Sequence, residues 1–142
     1  MTEQRFGHLN GLVHNAAAAS LDGTVVDLDE KQWRLELDVS LTGAFLVSKF
    51  AVPLIVESGG GSVVFIASQF GHVAVAKSPA YCAAKAGLIN LAKAMVCSAP
   101  KKWPPVGTDL MASKPRSSSV KEMGRKNSIM FCRISTSSTS FS

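Results

Sequence analysis

Three polar residues in the middle of the chain have the types and the spacing of a proton-transfer site. Ser68 ends an apolar segment, Tyr81 follows 13 residues later, and Lys85 lies four residues beyond Tyr81. Because residues i and i+4 share one face of a helix, the Lys85 ammonium can lie beside the Tyr81 phenol. A phenol has an ordinary pKa near ~10, and a neighbouring cation lowers that pKa by favouring the anion. Tyr81 is therefore a candidate proton donor and acceptor, and Ser68 a candidate for holding a carbonyl or hydroxyl oxygen.

The residues around this site predict alternating strands and helices. The short apolar run at about 11–15 and the β-branched run at 62–68 are typical of buried strands. A helix is expected over about 30–57 with Asp29 as its N-cap, and a second helix over about 80–96. The order strand, helix, strand, helix predicts an α/β layer with a parallel sheet, and Ser68 then lies at the carboxyl end of the second strand, where such sheets bind ligands.

The first long helix has apolar residues at mostly i,i+4 spacing, which predicts one apolar face directed at a core or a subunit interface. Pro53 should bend this helix or mark its last turns, and the three glycines at 59–61 should end it. The predicted face consists of Trp33, Leu37, Leu41, Phe45, Val52 and Ile55.

The charge divides the 142 residues into two parts. Residues 1–96 carry 7 Lys+Arg and 8 Asp+Glu, whereas residues 97–142 carry 8 and 2. From Ser113 onward, 12 of 30 residues are Ser or Thr. We expect residues 97–142 to be a basic, Ser-rich, disordered tail. The sequence does not decide whether this tail arose by a change of reading frame or is a genuine extension of the protein. It lacks the aromatic stacking platform of a nucleic-acid-binding module, so no nucleic-acid partner is expected.

Four short segments match a family pattern in order and in spacing: FGHLNGLVHNAA at 6–17, LTGAFLV at 41–47, GGSVVFIAS at 60–68 and YCAAKAG at 81–87. On these segments the run from Phe6 to Val96 resembles the short-chain dehydrogenase/reductase family. The resemblance implies an incomplete Rossmann-like, doubly wound parallel sheet with flanking helices, followed here by the disordered tail.

The resemblance also implies roles for individual residues. Tyr81 would be the acid/base, Lys85 would lower the pKa of the phenol and bind the nicotinamide ribose, and Ser68 would orient the substrate oxygen. Asn15, Ala16 and Ala17 would lie along an NAD or NADP cofactor, together with Tyr81 and Lys85. The family's fourth catalytic residue, an Asn in the long helix, corresponds here to Ser40, which has a shorter reach.

Several features depart from the family pattern. His14 replaces the first Asn of the family's N-N-A-G strand, and Ala17 replaces its Gly. No T-G-x-x-x-G-x-G loop occurs, and the glycines at 59–61 precede a strand instead of following one, so they cannot be a pyrophosphate loop. We expect the family's first βαβαβ half to be missing. Residues 6–96 alone would then leave the second strand with exposed edges.

The remaining residue types predict little further chemistry. The thiols of Cys82, Cys97 and Cys132 form no CxxC pair, and the three histidines lack partners at metal-ligand spacing, so no metal site is expected. The N-terminus has no secretory signal, and no apolar run reaches the ~18–20 residues of a membrane helix, so we expect a cytoplasmic protein with no membrane partner.

Two hypotheses of different class follow. The first is an NAD(P)(H)-dependent oxidoreductase that interconverts a small-molecule alcohol and a carbonyl, with activity impaired by truncation. The second is a non-catalytic truncated product that dimerises with a complete relative through helices 30–57 and 80–96, or does not fold.

Overall fold

The computed structural model describes residues 2–18, 23–97, 106–111 and 129–135 of the chain. Its helices are α1 (Thr2–Phe6), α2 (Glu30–Leu37), α3 (Gly43–Glu57) and α4 (Pro79–Cys97), and its strands are β1 (Gly11–His14), β2 (Gly60–Ile66), β3 (Val106–Met111) and β4 (Ile129–Ser135). The predicted order of two strands and two long helices is confirmed over residues 11–97.

The long helix predicted over 30–57 consists of α2 and α3 joined by a π-helical turn at Asp38–Thr42. The Asp29 carboxylate caps it by accepting from the Lys31 N–H at 3.1 Å. Pro53 lies inside α3, and the helix ends at Glu57 before Gly59, whose φ of 94° favours glycine. Both predicted boundaries are correct.

The buried face of this helix differs from the apolar face predicted for it. Val52 and Ile55 are buried, but Trp33 and Phe45 are 36% and 48% exposed. A second i,i+4 series, composed of small and polar residues, faces the interior instead: Glu36, Ser40, Ala44 and Ser48. Hydrophobic periodicity misses such a series because it scores only apolar side chains.

The sheet has the strand order β1-β2-β4-β3. β1 and β2 are parallel, with Gly11 opposite Ser62 and His14 opposite Phe65, which confirms the predicted parallel pair. Val63 and Phe65 are fully buried on one face of β2, in a core that α3 and α4 complete: Ala44, Val52, Ile55, Val63, Phe65, Ala67, Leu88, Ile89 and Ala92.

Two strands lie in the region that we expected to be a disordered tail. β4 pairs antiparallel with the whole of β2, from Gly60 opposite Ser135 to Ile66 opposite Ile129, and β3 pairs with β4. The expectation therefore fails for 106–111 and 129–135, because the apolar residues around Phe131 provide a strand for the free edge of β2. The expectation of exposed edges on a two-stranded sheet is corrected for β2 as well, because β1 pairs with one of its edges and β4 with the other. The rest of the tail lies outside the described residues.

By length and composition alone, the helix Glu30–Glu57 is apolar enough to cross a membrane. From the sequence we expected no apolar segment of this length, because we treated Ser48, Lys49 and Pro53 as interruptions. In the structure the helix continues through all three residues. Ala44, Val52 and Ile55 of the same helix lie in the core against β2, and buried core helices of soluble proteins meet the same criterion.

Candidate active site

The carboxyl ends of the two parallel strands bring the predicted site residues to one edge of the sheet. β1 ends at His14 and is followed by Asn15, Ala16 and Ala17, which are exposed. β2 ends at Ile66, and Ser68 follows two residues later. Since β1 and β2 are parallel, both segments emerge on the same side of the sheet, where α/β folds bind ligands.

Ser68 is held by the turn that it begins. Its side chain is 4% exposed, and its hydroxyl oxygen accepts from the Phe70 N–H at 3.2 Å, so that Ser68 caps the short helical turn Gln69–Gly71. This turn lies close against α4, because a Cβ added at Gly71 would be 2.8 Å from the Lys85 carbonyl. The position of Ser68 is thereby coupled to the helix that carries Tyr81 and Lys85.

Tyr81 and Lys85 lie on the first turns of α4, as their spacing predicts. The Lys85 Nζ is 5.5 Å from the centroid of the half-buried Tyr81 ring and donates to the Ile66 carbonyl oxygen at 2.8 Å. This hydrogen bond ties α4 to the last residue of β2. An ammonium has three N–H donors, so two remain for other acceptors.

Lys85 is 2% exposed, which is unusual for a lysine. Burial lowers the pKa of Lys85 below its ordinary value, and the attraction of the Glu36 carboxylate partly offsets this effect. The arrangement brings a buried cation next to the phenol.

Ser40 lies in the π-helical turn and is fully buried. Its hydroxyl donates to Oε1 of Glu36 at 2.5 Å, and Glu36 is fully buried one turn earlier in α2. Single π-helical turns are frequent at functional sites because they change the direction of the side chains along a helix. Ser40 therefore contacts Glu36 through its hydroxyl and His14 through its backbone.

His14 completes the interior of the site at the end of β1. It is 6% exposed, its ring contacts that of Phe65 edge to face with 6.3 Å between centroids, and its Nε2 has no hydrogen-bond partner. Burial lowers the pKa of His14 below 6.5, a hydrogen bond with the Ser40 backbone raises it, and the charge of Lys85 lowers it again. Lys85 and His14 are thus close enough to influence each other's charge.

The pKa of His14 gives the first testable prediction. The unfolded chain protonates His14 below about pH 6.5, whereas the folded chain resists protonation, so the folded state loses stability as the pH falls through this range. We expect His14→Asn to reduce the difference in unfolding free energy between about pH 7.5 and about pH 5. Urea denaturation at the two pH values measures this difference. The matched variant His72→Asn, at an exposed histidine, should leave the difference unchanged.

The sequence did not single out Glu36, and it gave His14 only as a departure from a family strand. The signal that could have found Glu36 is its position, because it is a charged residue four positions before Ser40 in an apolar helix. The four residues predicted as catalytic and the three predicted beside the cofactor lie at the carboxyl edge of the sheet or on the helices that pack next to it.

The structure places Ser68, Tyr81 and Lys85 at the carboxyl edge of an α/β sheet or on the helix next to it. A family model for short chain dehydrogenases matches residues 1–102. The chain is 41% identical over 93 residues to 2-(S)-hydroxypropyl-CoM dehydrogenase 3 of Xanthobacter autotrophicus, covering 66% of this chain and 36% of the relative. It is 42% identical over 90 residues to trans-4-hydroxycyclohexanecarboxylate dehydrogenase of Sinomonas cyclohexanicum, covering 63% and 34%.

A solved structure gives the same result. Carveol dehydrogenase from Mycobacterium avium, in complex with NAD, superimposes with a TM-score of 0.64 and 30% identity, covering 67% of this chain and 35% of that chain. The chain therefore belongs to the short-chain dehydrogenase/reductase family. It spans about a third of the length of the curated relatives that it matches.

Proposed function

We propose that this chain carries the catalytic segment of an NAD(P)(H)-dependent oxidoreductase that interconverts a small-molecule alcohol and a carbonyl compound. The observation that supports the proposal most strongly is the buried Lys85 ammonium, fixed to the end of β2 and 5.5 Å from the centre of the Tyr81 ring. A positive charge in this place stabilises the negative charge that develops on the phenol oxygen as a proton is transferred.

Tyr81 transfers the proton. In the direction of oxidation its phenolate accepts the proton of the substrate hydroxyl, and in the direction of reduction its phenol donates a proton to the carbonyl oxygen. Lys85 stabilises the phenolate in both directions. The Ser68 hydroxyl accepts from the Phe70 N–H, which leaves its own O–H to donate to the substrate oxygen.

The residues present fit the nicotinamide end of such a cofactor. A nicotinamide, when bound, supplies or accepts the hydride. Lys85 has N–H donors left for the hydroxyls of the ribose, and Asn15, Ala16 and Ala17 form an exposed edge along which the cofactor would lie. The pyrophosphate end has no glycine-rich loop in these 142 residues. Gly61 cannot contribute one, because it lies beside the Asn10 backbone at the start of β2. This is the opposite end of the sheet from Ser68.

The proposal is tested by the oxidation of small secondary alcohols with NAD or NADP, comparing the unaltered chain with Tyr81→Phe. We expect a slow reaction in the unaltered chain, because the phosphate anchor is absent from the sequence. In Tyr81→Phe the rate should fall by about 10²–10⁴-fold, to the background of the assay. The neighbouring variant Cys82→Ala should keep the unaltered rate. Equal rates in Tyr81→Phe and the unaltered chain would contradict the proposal.

A second candidate function is non-catalytic association with another short-chain dehydrogenase chain. It is favoured by exposed apolar residues on the outer side of α3, where Phe45, Leu46 and Phe50 are 48%, 45% and 69% exposed. Such a contiguous apolar surface is typical of a subunit interface. Sedimentation of the unaltered chain and of Phe50→Glu tests it: a dimer lost in the variant, together with no alcohol oxidation in either, would favour this function over the first.

A further inference from the structure

The segment between Ser68 and Tyr81 carries a site residue at each of its ends. Ser68 begins the helical turn Gln69–Gly71, and Tyr81 lies in the first turn of α4. Between them, residues 73–76 read Val-Ala-Val-Ala, and all four are exposed. A loop that follows a strand at the carboxyl edge of an α/β sheet is placed to contact a ligand bound there. The site therefore has an apolar loop beside it.

Hydrogen bonds fix the start of this loop relative to Ser68. The Gly71 N–H donates to the Ser68 carbonyl oxygen at 3.0 Å, and the Val73 N–H donates to the Gln69 carbonyl oxygen at 2.9 Å. Val73 is thus held directly after the turn that Ser68 begins, although its side chain is 48% exposed. A residue whose backbone is already held in place loses less conformational freedom when a ligand binds to it.

A second loop lies at the same edge of the sheet. It comprises residues 23–28, in the connection that follows β1, and its Gly23 N–H donates to the Lys77 carbonyl oxygen at 3.4 Å. The two loops therefore meet two residues away from Val75 in the first loop.

The polar side chains of the second loop bond to each other. The Thr24 hydroxyl donates to the Asp27 carboxylate at 2.6 Å. The two residues between them, Val25 and Val26, are exposed. Each of the two loops thus exposes a pair of valines at the carboxyl edge, where the residues of the site lie.

Charged residues contribute little along the first loop. The segment between Ser68 and Tyr81 contains no acidic residue, and its lysine, Lys77, is exposed, so that solvent and salt screen its charge. Val73 and Val75 can instead remove hydrocarbon surface of a ligand from water. Apolar contact is therefore the main selectivity that this loop can provide.

We propose that Val73 and Val75 are specificity-determining residues that contact the hydrocarbon part of the substrate. The substrate class is then an alcohol whose carbinol carbon carries an apolar chain, in preference to a polyol or a sugar. Val25 and Val26 extend the same apolar surface. For turnover the inference rests on the proposed function, but the binding of an alcohol can be measured without it.

Titration of the unaltered chain with 2-butanol, 2-hexanol and 2-octanol, followed by saturation-transfer NMR, measures binding without cofactor. The affinity should rise about two- to fourfold for each added methylene group, as expected when a hydrocarbon chain leaves water. In Val73→Ser and in Val75→Ser this gain should fall to less than about 1.5-fold for each methylene group. Val73→Ile keeps an apolar side chain and should retain the gain.

Val47→Ser is the matched control, because Val47 is 44% exposed and belongs to α3 instead of either loop. It should retain the gain of the unaltered chain. An equal loss in Val47→Ser and Val73→Ser would overturn the inference, since the alcohols would then bind to exposed apolar surface in general. An affinity that does not rise with chain length would overturn it too. Circular dichroism restricts the comparison to folded protein.

Oxidation rates with NAD or NADP separate this inference from the proposed function. Rates that fall in Tyr81→Phe, but depend neither on chain length nor on Val73, would overturn the inference and leave the proposed function standing. Faster oxidation of glycerol than of 2-hexanol would overturn the inference as well. If binding rises with chain length and weakens in Val73→Ser while Tyr81→Phe keeps its rate, the apolar surface stands and the proposed function fails.

Discussion

Gly61→Ala is expected to destabilise the chain by about 4 kcal/mol or more, enough to unfold a marginally stable domain. An alanine Cβ at this position would overlap the carbonyl oxygen of Asn10 and lie 2.6 Å from its carbonyl carbon. Both atoms belong to the backbone, and Asn10 cannot withdraw easily because its carbonyl also accepts from the Ser62 N–H at 3.0 Å. The substitution therefore separates β1 from β2 where their pairing begins.

Gly11→Ala provides the matched control for this prediction. A Cβ at Gly11 would lie 3.9 Å from the Ser62 carbonyl oxygen, which is ordinary van der Waals contact. Urea denaturation followed by circular dichroism should give Gly11→Ala a stability within about 1 kcal/mol of the unaltered chain. Equal stabilities of the two alanine variants would show that the two strands do not meet at Asn10.

Lys85→Met is expected to lower the rate of alcohol oxidation by about 10²-fold or more. The side chain of methionine has a similar length and suits a buried position, but it carries no charge beside the Tyr81 ring and cannot donate to the Ile66 carbonyl oxygen. The rate of oxidation of a small secondary alcohol with NAD or NADP, in variants that circular dichroism shows to be folded, measures the effect.

Lys93→Met removes an exposed lysine from the same helix, two turns further on, and serves as the control. It should keep the rate of the unaltered chain. If Lys85→Met kept that rate as well, Lys85 would have no part in proton transfer at Tyr81, and its proposed role would be wrong.

The parts of the fold that follow from local patterns were predicted from the sequence. The i,i+4 spacing of Tyr81 and Lys85 placed both on one helix face, and the glycines after Glu57 marked the end of the long helix. The β-branched run before Ser68 gave the strand that leads into the site. Each prediction depends on residues within a few positions of one another.

The features that the sequence did not predict depend on contacts between distant segments. β4 pairs with β2 across more than sixty residues of chain, and no local pattern indicates that partner. Glu36 is a charged residue in a helix, and such residues are exposed as a rule. Only the packing of α2 in the folded chain shows that it is buried.

The central claim is that this segment, with Tyr81, Lys85 and Ser68 at the carboxyl edge of its sheet, can hold the nicotinamide end of a dinucleotide. Titration of the purified, folded chain with NADH and with NADPH, followed by nicotinamide fluorescence, tests the claim most directly. We predict saturable binding at micromolar concentration of at least one of the two. The absence of binding by a chain that circular dichroism shows to be folded would contradict the claim.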